Sequence, residues 1–493
     1  MKVTFLHNGY ESLAIEALSA SLKAKGFKTS LVIDPALFDE SGFWRSAPLA
    51  KAFSFRRRVL EELKREKPDL LCFSVFTDNY QWALGWATEA KKELQVPVIF
   101  GGIHPTSVPE RVIEEKCVDF VCVGEGDLAL PELTASLIKK ANRPIDNIWS
   151  KVGKEIIKGK TTPPPDPDTL PFADKDIFYS PYPLFNDGYL ISASRGCPFS
   201  CAYCANSVYE KLYGAGRARK RSPSHVLREL TFAKNKWRPR YIHFADEVFN
   251  WDPSWLEEFL PRYAAEIALP FSCFLYPDLL DDQTAGLLGK AGCFKAQLGM
   301  QTFDERKRLK TLSRNSSNMK IAAALDLLKK AKIYSVCDSI LGLPGDTEAD
   351  LQALAKFYAA HTPDQNEVFF LKYYPRTTLT LRATESGVLG PRAVEELEEG
   401  KGTRGIISAP PGRGKRLEHY FRLLLILPLL PKFIRKAAAR TPLLVALTPG
   451  GIPLRILTRF VRKPKHDFNT SGFVRLYLCF MFRTLRNLFR KEP

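Results

Sequence analysis

Three cysteines in the middle of the chain constrain its fold and chemistry more than any other feature. Cys197, Cys201 and Cys204 lie in the stretch SRGCPFSCAYC, directly after a short apolar run at 189–193. A loop at the end of a strand can turn all three thiols toward one region, and thiolates are soft ligands that suit iron–sulfur clusters. Three ligands leave one iron of a four-iron cluster open to another molecule. A zinc site without its fourth ligand and cysteines without metal are the alternatives.

The spacing C-x3-C-x2-C, with Tyr203 inside the second gap, resembles the signature of radical S-adenosylmethionine (SAM) enzymes. The resemblance implies a 4Fe–4S cluster whose free iron is chelated by SAM. It further implies that one electron cleaves SAM to a 5′-deoxyadenosyl radical, and that a flavodoxin- or ferredoxin-like protein supplies this electron. The spacing by itself predicts only a site with three thiolates.

The whole chain sets broad limits on architecture and location. Its 493 residues are enough for two or three domains. The chain has ten cysteines, and the seven outside the stretch above are scattered and do not form the pattern of a disulfide framework, which favours a reducing cytoplasm. The first apolar run is too short for a signal peptide, and no segment has the roughly 20 apolar residues of a spanning helix.

The first 145 residues alternate short β-rich runs with helical ones. This alternation predicts an α/β fold with a doubly wound, Rossmann-like parallel sheet over 1–145. Ligands bind such sheets at the carboxyl ends of the strands. Three unusual loops lie at predicted strand ends, at residues 74–77, 101–105 and 124–126. Their glycines allow the backbone to approach a ligand closely, although glycine pairs are common in turns.

Together these loops resemble those of the cobalamin-binding domain that precedes many radical SAM domains. The resemblance implies a cobalamin site formed by Ser74, Thr77, Gly101, Gly102, His104, Gly124, Glu125 and Gly126. The motif D-x-H-x-x-G, which supplies a lower histidine ligand to cobalt, is absent, because Phe5 and Tyr10 flank His7 at the motif positions. Cobalamin would then bind without a histidine below cobalt. A domain that has lost cobalamin is the alternative, and for both histidines a loop imidazole bonded to backbone is the favoured interpretation.

A proline-rich linker over 146–185 separates this domain from the next one. Six strand-like runs over 186–385 alternate with helices and predict a partial (β/α)6 barrel of TIM type. The radical SAM resemblance implies SAM contacts by Tyr203, Glu247, Gln301, Arg314 and Gly342, all in or after the cysteine stretch. For Tyr203 a core aromatic, and for the Asp246–Glu247 pair a helix N-cap, are the alternatives.

The remaining region, 386–493, is predicted to be helical and basic. Residues 412–493 carry 18 basic and three acidic side chains, so most of the net charge of +18 lies there. In the last stretch, Arg475, Arg483, Arg486 and Arg490 share one arc of a helix among apolar residues. This pattern is typical of a helix in a membrane interface, which would put the protein at the inner face of the membrane. A helix packed on the barrel fits equally, and nucleic-acid binding is the weakest interpretation.

The combined resemblance implies a cobalamin-dependent radical SAM enzyme that methylates an sp3 carbon of a hydrophobic or membrane-resident small molecule. A non-methylating oxidation or cyclisation, as in the anaerobic magnesium-protoporphyrin ester cyclase, is the alternative within the family. A protein that only senses cobalamin or redox state through its cluster is the alternative outside it. In the enzyme, the cofactors carry the difficult chemistry and the protein orients them and excludes water.

Overall fold

The computed structural model describes residues 1–38, 47–140, 143–401, 414–441 and 478–482. The strands are β1 (Lys2–Asn8), β2 (Lys28–Asp34), β3 (Leu70–Ser74), β4 (Val98–Gly101), β5 (Phe120–Cys122), β6 (Ile148–Val152), β7 (Glu155–Lys158), β8 (Tyr189–Ile191), β9 (Ser194–Arg195), β10 (Arg219–Lys220), β11 (Ile242–Phe244), β12 (Phe271–Leu275), β13 (Cys293–Gln301), β14 (Tyr334–Leu341) and β15 (Gln365–Phe370).

The helices lie between and after these strands. They are α1 (Leu13–Ala24), α2 (Ala47–Ala52), α3 (Arg56–Glu66), α4 (Tyr80–Leu94), α5 (Ile103–Ser107), α6 (Pro109–Glu114), α7 (Ala129–Lys139), α8 (Asp176–Tyr179), α9 (Asn206–Tyr213), α10 (Pro223–Lys236), α11 (Pro253–Glu266), α12 (Asp282–Lys290), α13 (Glu305–Lys310), α14 (Asn318–Lys330), α15 (Glu348–Ala360), α16 (Thr378–Glu385), α17 (Pro391–Glu398), α18 (Lys415–Ile426) and α19 (Lys432–Arg440).

The first domain is built on a seven-stranded sheet in the order β2-β1-β3-β4-β5-β6-β7. The first five strands are parallel, and their order is that of a flavodoxin-like doubly wound sheet. The structure thus confirms the predicted fold. The sheet extends past residue 145, because β6 and β7 add an antiparallel hairpin to its edge. Part of the predicted linker is therefore a piece of this sheet.

The second domain is a six-stranded parallel sheet in the order β15-β14-β13-β12-β11-β8. Within this sheet each strand after β8 lies beside the sheet strand that precedes it in the chain, and among the described residues no ladder joins β15 to β8. The result is the predicted open barrel of six units, with its helices outside. The carboxyl ends of its strands, where such barrels bind their ligands, include the turn into the cysteine loop.

The segment between the domains is packed rather than extended. Lys175 is buried, and its ammonium group donates to Glu11 (2.7 Å) and Glu16 (2.6 Å) of the first domain. Tyr179 donates to the same Glu11 (2.9 Å) and approaches the carbonyl of Gly188 (3.2 Å), just before β8. Buried charges are tolerated when paired in this way. These contacts fix the second half of the predicted linker against both domains.

The described part of the C-terminal region covers the edge of the barrel. Asn366 of β15 donates to the carbonyl of Leu424 in α18 (2.7 Å), and Phe370 stacks on Phe421 at 4.9 Å. Phe480 is buried against Phe55, with ring centroids 5.8 Å apart. Among the described helices, none has the length and apolar character needed to cross a membrane. The predicted arginine arc, at positions 475, 483, 486 and 490, lies outside the described residues.

Candidate active site between the two domains

A cavity of about 420 Å³ lies where the strand ends of the two domains face each other. From the first domain it is lined by six of the predicted cobalamin residues, Ser74, Gly101, Gly102, Gly124, Glu125 and Gly126. From the second domain it is lined by Gly196, Asn206 and Glu247, which lie beside the cysteines. The structure therefore brings both sets of loops to one cavity.

The loop after β4 requires glycine at position 102. Gly102 has a φ of +106°, and a Cβ on this residue would lie 2.6 Å from the carbonyl oxygen of Val75. The amide of Val75 in turn donates to the carbonyl of Gly101 (2.7 Å). At these two glycines the backbone itself borders the cavity, which suits the close approach of a large ligand.

Two predicted cobalamin residues, Thr77 and His104, are not among the residues that line this cavity. His104 is fully buried, stacks on Tyr80 at 4.2 Å and has its Nδ1 3.2 Å from Thr77 Oγ1. Burial lowers the pKa of His104 to about 4, so its ring is neutral. His7 bonds through Nε2 to the carbonyl of Tyr10 (2.8 Å). Both histidines have partners within the protein, and neither is among the cavity-lining residues.

The acid of the third loop contacts the second domain. Glu125 accepts from Arg195 Nη1 (3.0 Å) and from Arg219. Arg195 also forms a bidentate pair with Asp127, at 2.7 and 3.0 Å. These residue pairs are about 70 or more positions apart in the chain and were missed by sequence reasoning. Only the position of Arg195, two residues before Cys197, marked it as part of the site.

The cysteine loop holds three free thiols, of which Cys197 and Cys201 are buried. Arg314 Nη1 lies 3.8 Å from Cys201 Sγ, and Asn206 Nδ2 lies 3.6 Å from Cys204 Sγ. In the described part of the chain no three potential ligands converge as they would around a single metal ion. A cube-shaped cluster needs a different arrangement, because each cysteine binds a different iron.

Two of the three thiols are held protonated when no metal is bound. Burial raises the pKa of Cys197 to about 12, and burial likewise raises the pKa of Cys204. Iron replaces these protons on binding, since the thiolate is the ligand form. The described cysteines are not bridged to one another, so all three remain available as ligands.

Arg314 is the cationic centre of the site. Its Nη2 donates to the carbonyl of Gly299 (2.9 Å), and its guanidinium lies 4.3 Å from the ring centroid of Tyr276. Its Nε is buried and has no hydrogen-bond partner among the described residues. A buried, unsatisfied donor beside the thiols fits a carboxylate ligand. Tyr276, which stacks on Phe199 at 3.9 Å, was not predicted, although its place just after β12 is a typical site position.

Two further predicted SAM residues, Gln301 and Tyr203, lie near this centre. The Nε2 of Gln301 folds back so closely over Gly299 that a Cβ there would meet it at 2.2 Å. The positive charge of Arg314 acts against the burial that raises the pKa of Tyr203, which places the two side chains close together. Gly342, with φ +79°, donates its amide to Asp346 Oδ2 (2.9 Å).

Glu247 and Asp246 differ although they are adjacent. Glu247 is exposed to the space inside the cavity, where the surrounding protein raises the pKa of its carboxyl. Asp246 is fully buried and accepts from the amide of Ala193 (2.9 Å) and from Ser194. Asp246 therefore fixes the turn from β8 into the cysteine loop, while Glu247 lines the cavity.

Two protein families match the two domains separately. Residues 6–134 match the B12 binding domain, and residues 191–358 match the radical SAM superfamily. These matches confirm the expected cofactors, which are cobalamin for the first domain and SAM with a 4Fe–4S cluster for the second. The donor sets described above, small residues in one domain and thiols with a buried guanidinium in the other, fit these groups.

Two curated relatives illustrate the range of the family. An uncharacterised methyltransferase of Pyrococcus horikoshii is 25% identical over 342 residues, which are 67% of this chain and 72% of that protein. The anaerobic magnesium-protoporphyrin IX monomethyl ester cyclase of Cereibacter sphaeroides is 22% identical over 392 residues. That match covers 74% of this chain and 60% of the cyclase.

One solved structure shares the fold of this chain over nearly its full length. The radical SAM methyltransferase TsrM of Kitasatospora setae, bound to tryptophan substrate and a SAM analogue, superposes with a TM-score of 0.68 at 15% identity. The match covers 98% of this chain and 99% of TsrM. With both domain families matched in the same order, this chain belongs to the radical SAM enzymes that carry an N-terminal cobalamin-binding domain.

Proposed function

We propose that the enzyme methylates an unactivated sp3 carbon of a hydrophobic small molecule. The observation that carries the proposal is a cavity bordered both by the glycine loops of the first domain and by Gly196, Asn206 and Glu247 of the second. A substrate held there would meet both cofactors without leaving the protein. Separate pockets would instead require the substrate or a domain to move between two steps.

When bound, the cluster with SAM supplies a carbon-centred radical, and cobalamin supplies the methyl group. In this proposal Cys197, Cys201 and Cys204 hold the cluster by three irons. Arg314, with its unsatisfied Nε, holds the SAM carboxylate through charge-assisted hydrogen bonds. Glu247 accepts from the SAM amino group. None of these side chains removes a proton from the substrate.

The cavity also has the apolar surface that a radical reaction and a hydrophobic substrate need. Its first-domain wall includes Ala14, Leu18 and Leu130, and the segment between the domains adds Leu170 and Pro171. Apolar walls exclude water, which limits the loss of reactive species to side reactions. The cyclase relative, whose named substrate is a magnesium-protoporphyrin ester, supports a substrate of this kind.

The test is anaerobic reconstitution with iron, sulfide and hydroxocobalamin, followed by SAM carrying an isotopically labelled methyl group and a lipid extract. We expect an optical spectrum of cluster and cobalamin together, and label in an extracted compound. Cleaved SAM without transferred label favours the cyclase type of reaction instead. SAM left intact in the presence of a reductant would reject radical chemistry altogether. A reduced flavodoxin in place of dithionite tests the proposed protein electron donor.

Contact with a membrane through 412–493 is a further part of the proposal. The described helix α19 supports it, because Phe433 is 74% exposed and lies among the exposed cations Lys432 and Lys436. Aromatic and basic side chains on one helix suit an anionic bilayer surface. Removal of residues 472–493 should lower sedimentation with phosphatidylglycerol vesicles, and Phe433→Ala should lower it further. Unchanged sedimentation of both variants would reject membrane contact.

A further inference from the structure

A small two-stranded ladder projects from the second domain toward the first. β9 and β10 pair antiparallel, with Arg195 directly opposite Arg219. Both arginines contact Glu125, and Arg195 adds the bidentate pair with Asp127. The side chain of Asp127 is only 6% exposed and that of Arg195 is 26% exposed. Charge-assisted, bidentate pairs with limited solvent access are strong and directional.

The connection between the ladder and the first cysteine is short and has little conformational freedom. Gly196 alone separates Arg195 from Cys197, and it has a φ of +75°. A Cβ on Gly196 would lie 2.0 Å from the carbonyl oxygen of Arg217, so this residue is tightly enclosed. A displacement of Arg195 would therefore be passed directly to the first cysteine of the loop.

The other end of the contact is equally well fixed. Glu125 and Asp127 flank Gly126, and all three line the cavity. Tyr213 of α9 accepts from the amide of Glu125 (2.9 Å), and its oxygen occupies the space that a Cβ on Gly124 would need. The second domain thus holds both the side chains and the backbone of the 124–127 loop.

We infer that Arg195 is a positioning residue that fixes the 124–127 loop to the cysteine loop and so sets the separation between cobalamin and the cluster. This inference rests on the proposed function, in which both cofactors act on one substrate. Two cofactors on separate domains need such a device, because an error of about 1 Å in their relative position is costly to catalysis.

The variants for the test are Arg195→Gln, which removes both carboxylate contacts, and Asp127→Asn, which removes one of them. Arg262→Gln is the matched control, because Arg262 pairs with Glu258 and Glu266 within the surface of one helix. Hydrogen exchange at residues 120–130 is measured first, on the protein without added cobalamin or SAM. We expect exchange about tenfold faster in Arg195→Gln, a smaller increase in Asp127→Asn and none in the control.

The second measurement uses hydroxocobalamin and reconstituted cluster, both reduced, and follows the electron paramagnetic relaxation of Co(II) by the cluster. The Arg195→Gln variant should still bind iron and cobalamin. In the wild type the cluster should enhance the relaxation of every Co(II) centre to the same extent, because their separation is fixed, and the variant should lose this uniformity. Unchanged exchange and relaxation in Arg195→Gln would overturn the inference. Loss of iron in Asp127→Asn would also overturn it, since that residue would then support the cluster itself. Failure to bind hydroxocobalamin counts against the proposed function, while the exchange result still decides the role of Arg195.

Discussion

Both domains have their candidate cofactor site at the carboxyl ends of their parallel strands. The first domain contributes glycine backbone to its site, and the second contributes side chains. In the first domain four glycines, Gly101, Gly102, Gly124 and Gly126, present their backbone to the cavity. In the second the site is built from side chains, with the Arg314 guanidinium 3.8 Å from Cys201 Sγ and Asn206 Nδ2 3.6 Å from Cys204 Sγ. A large ligand needs space and backbone contacts, whereas a cluster needs ligand atoms of one kind.

This difference explains how clearly each site is visible in the sequence. A set of cysteines has few other uses at such spacing, so the second site is marked by a short, specific motif. Glycines in loops serve turns throughout proteins, so the first site is marked only by several weak signals at successive strand ends. Each substitution below tests one side of this contrast, starting with the change of largest expected effect.

Cys201→Ala should abolish the cluster, because two cysteines cannot hold three irons. We expect complete loss of the brown chromophore and of SAM cleavage, with the first domain still folded and able to bind hydroxocobalamin. Cys293→Ala is the matched control, since Cys293 is also buried in the second domain but lies at the start of β13, in the core. Iron analysis and optical spectra check the outcome. A brown Cys201→Ala protein would contradict the assignment.

Gly102→Ala should remove cobalamin binding while leaving the cluster intact. The new Cβ would lie 2.6 Å from the Val75 carbonyl, so the loop must shift into the cavity. Gly9→Ala is the control, because Gly9 has a similar φ of +98° and no atom near the added Cβ. Both variants carry a strain of about 1–3 kcal/mol, but only Gly102→Ala should lose hydroxocobalamin, by about 100-fold in affinity. Equal losses in both would mean that general strain, not the shape of the wall, is responsible.

Much of the fold was predictable from local patterns. The six strand-like runs with helices between them predict the barrel, and the structure has six strands in one parallel sheet there. The hairpin β6–β7 was missed, because its alternating charged residues and short strands gave no core signal. The contacts of Glu125 with Arg195 and Arg219 were missed for a different reason. Pairing across 70 residues depends on how the domains dock, and no periodicity in the sequence reports it.

Asp346→Asn tests whether SAM binding in the second domain also depends on the position of a glycine-containing backbone turn. Asp346 accepts from the amides of Gly342 (2.9 Å) and Leu343 (2.8 Å) and pairs with Lys307 (3.1 Å). Loss of the charge should loosen this glycine turn and weaken SAM binding by roughly 3–10-fold. Asp350→Asn is the control, because Asp350 also pairs with Lys307 (2.7 Å) but bonds only to Thr347 beyond that. Titration calorimetry with SAM distinguishes them, and equal weakening would assign the effect to Lys307.

The last prediction concerns stability rather than binding, and its subject is a side chain of the barrel interior, on β14. Burial raises the pKa of Asp338 to about 7, even though Gln297 donates two hydrogen bonds to its carboxyl, at 2.8 and 3.0 Å. In the unfolded chain an aspartate has a pKa of about 3.9. Between these two values the folded protein binds more protons than the unfolded chain, so the free energy of unfolding should fall as pH rises from about 4 to about 7.

Asp338→Asn cannot ionise and should not show this part of the pH dependence. We expect the variant to gain about 1–3 kcal/mol relative to the wild type between pH 5 and pH 8, measured by urea unfolding. Asp326→Asn, at an exposed position on α14, is the control and should keep a constant difference from the wild type. A constant difference for Asp338→Asn as well would mean that the carboxyl is hydrated. The barrel interior would then be as open to solvent as the outer face of its helices, and side-chain chemistry would be confined to the cysteine end of the domain.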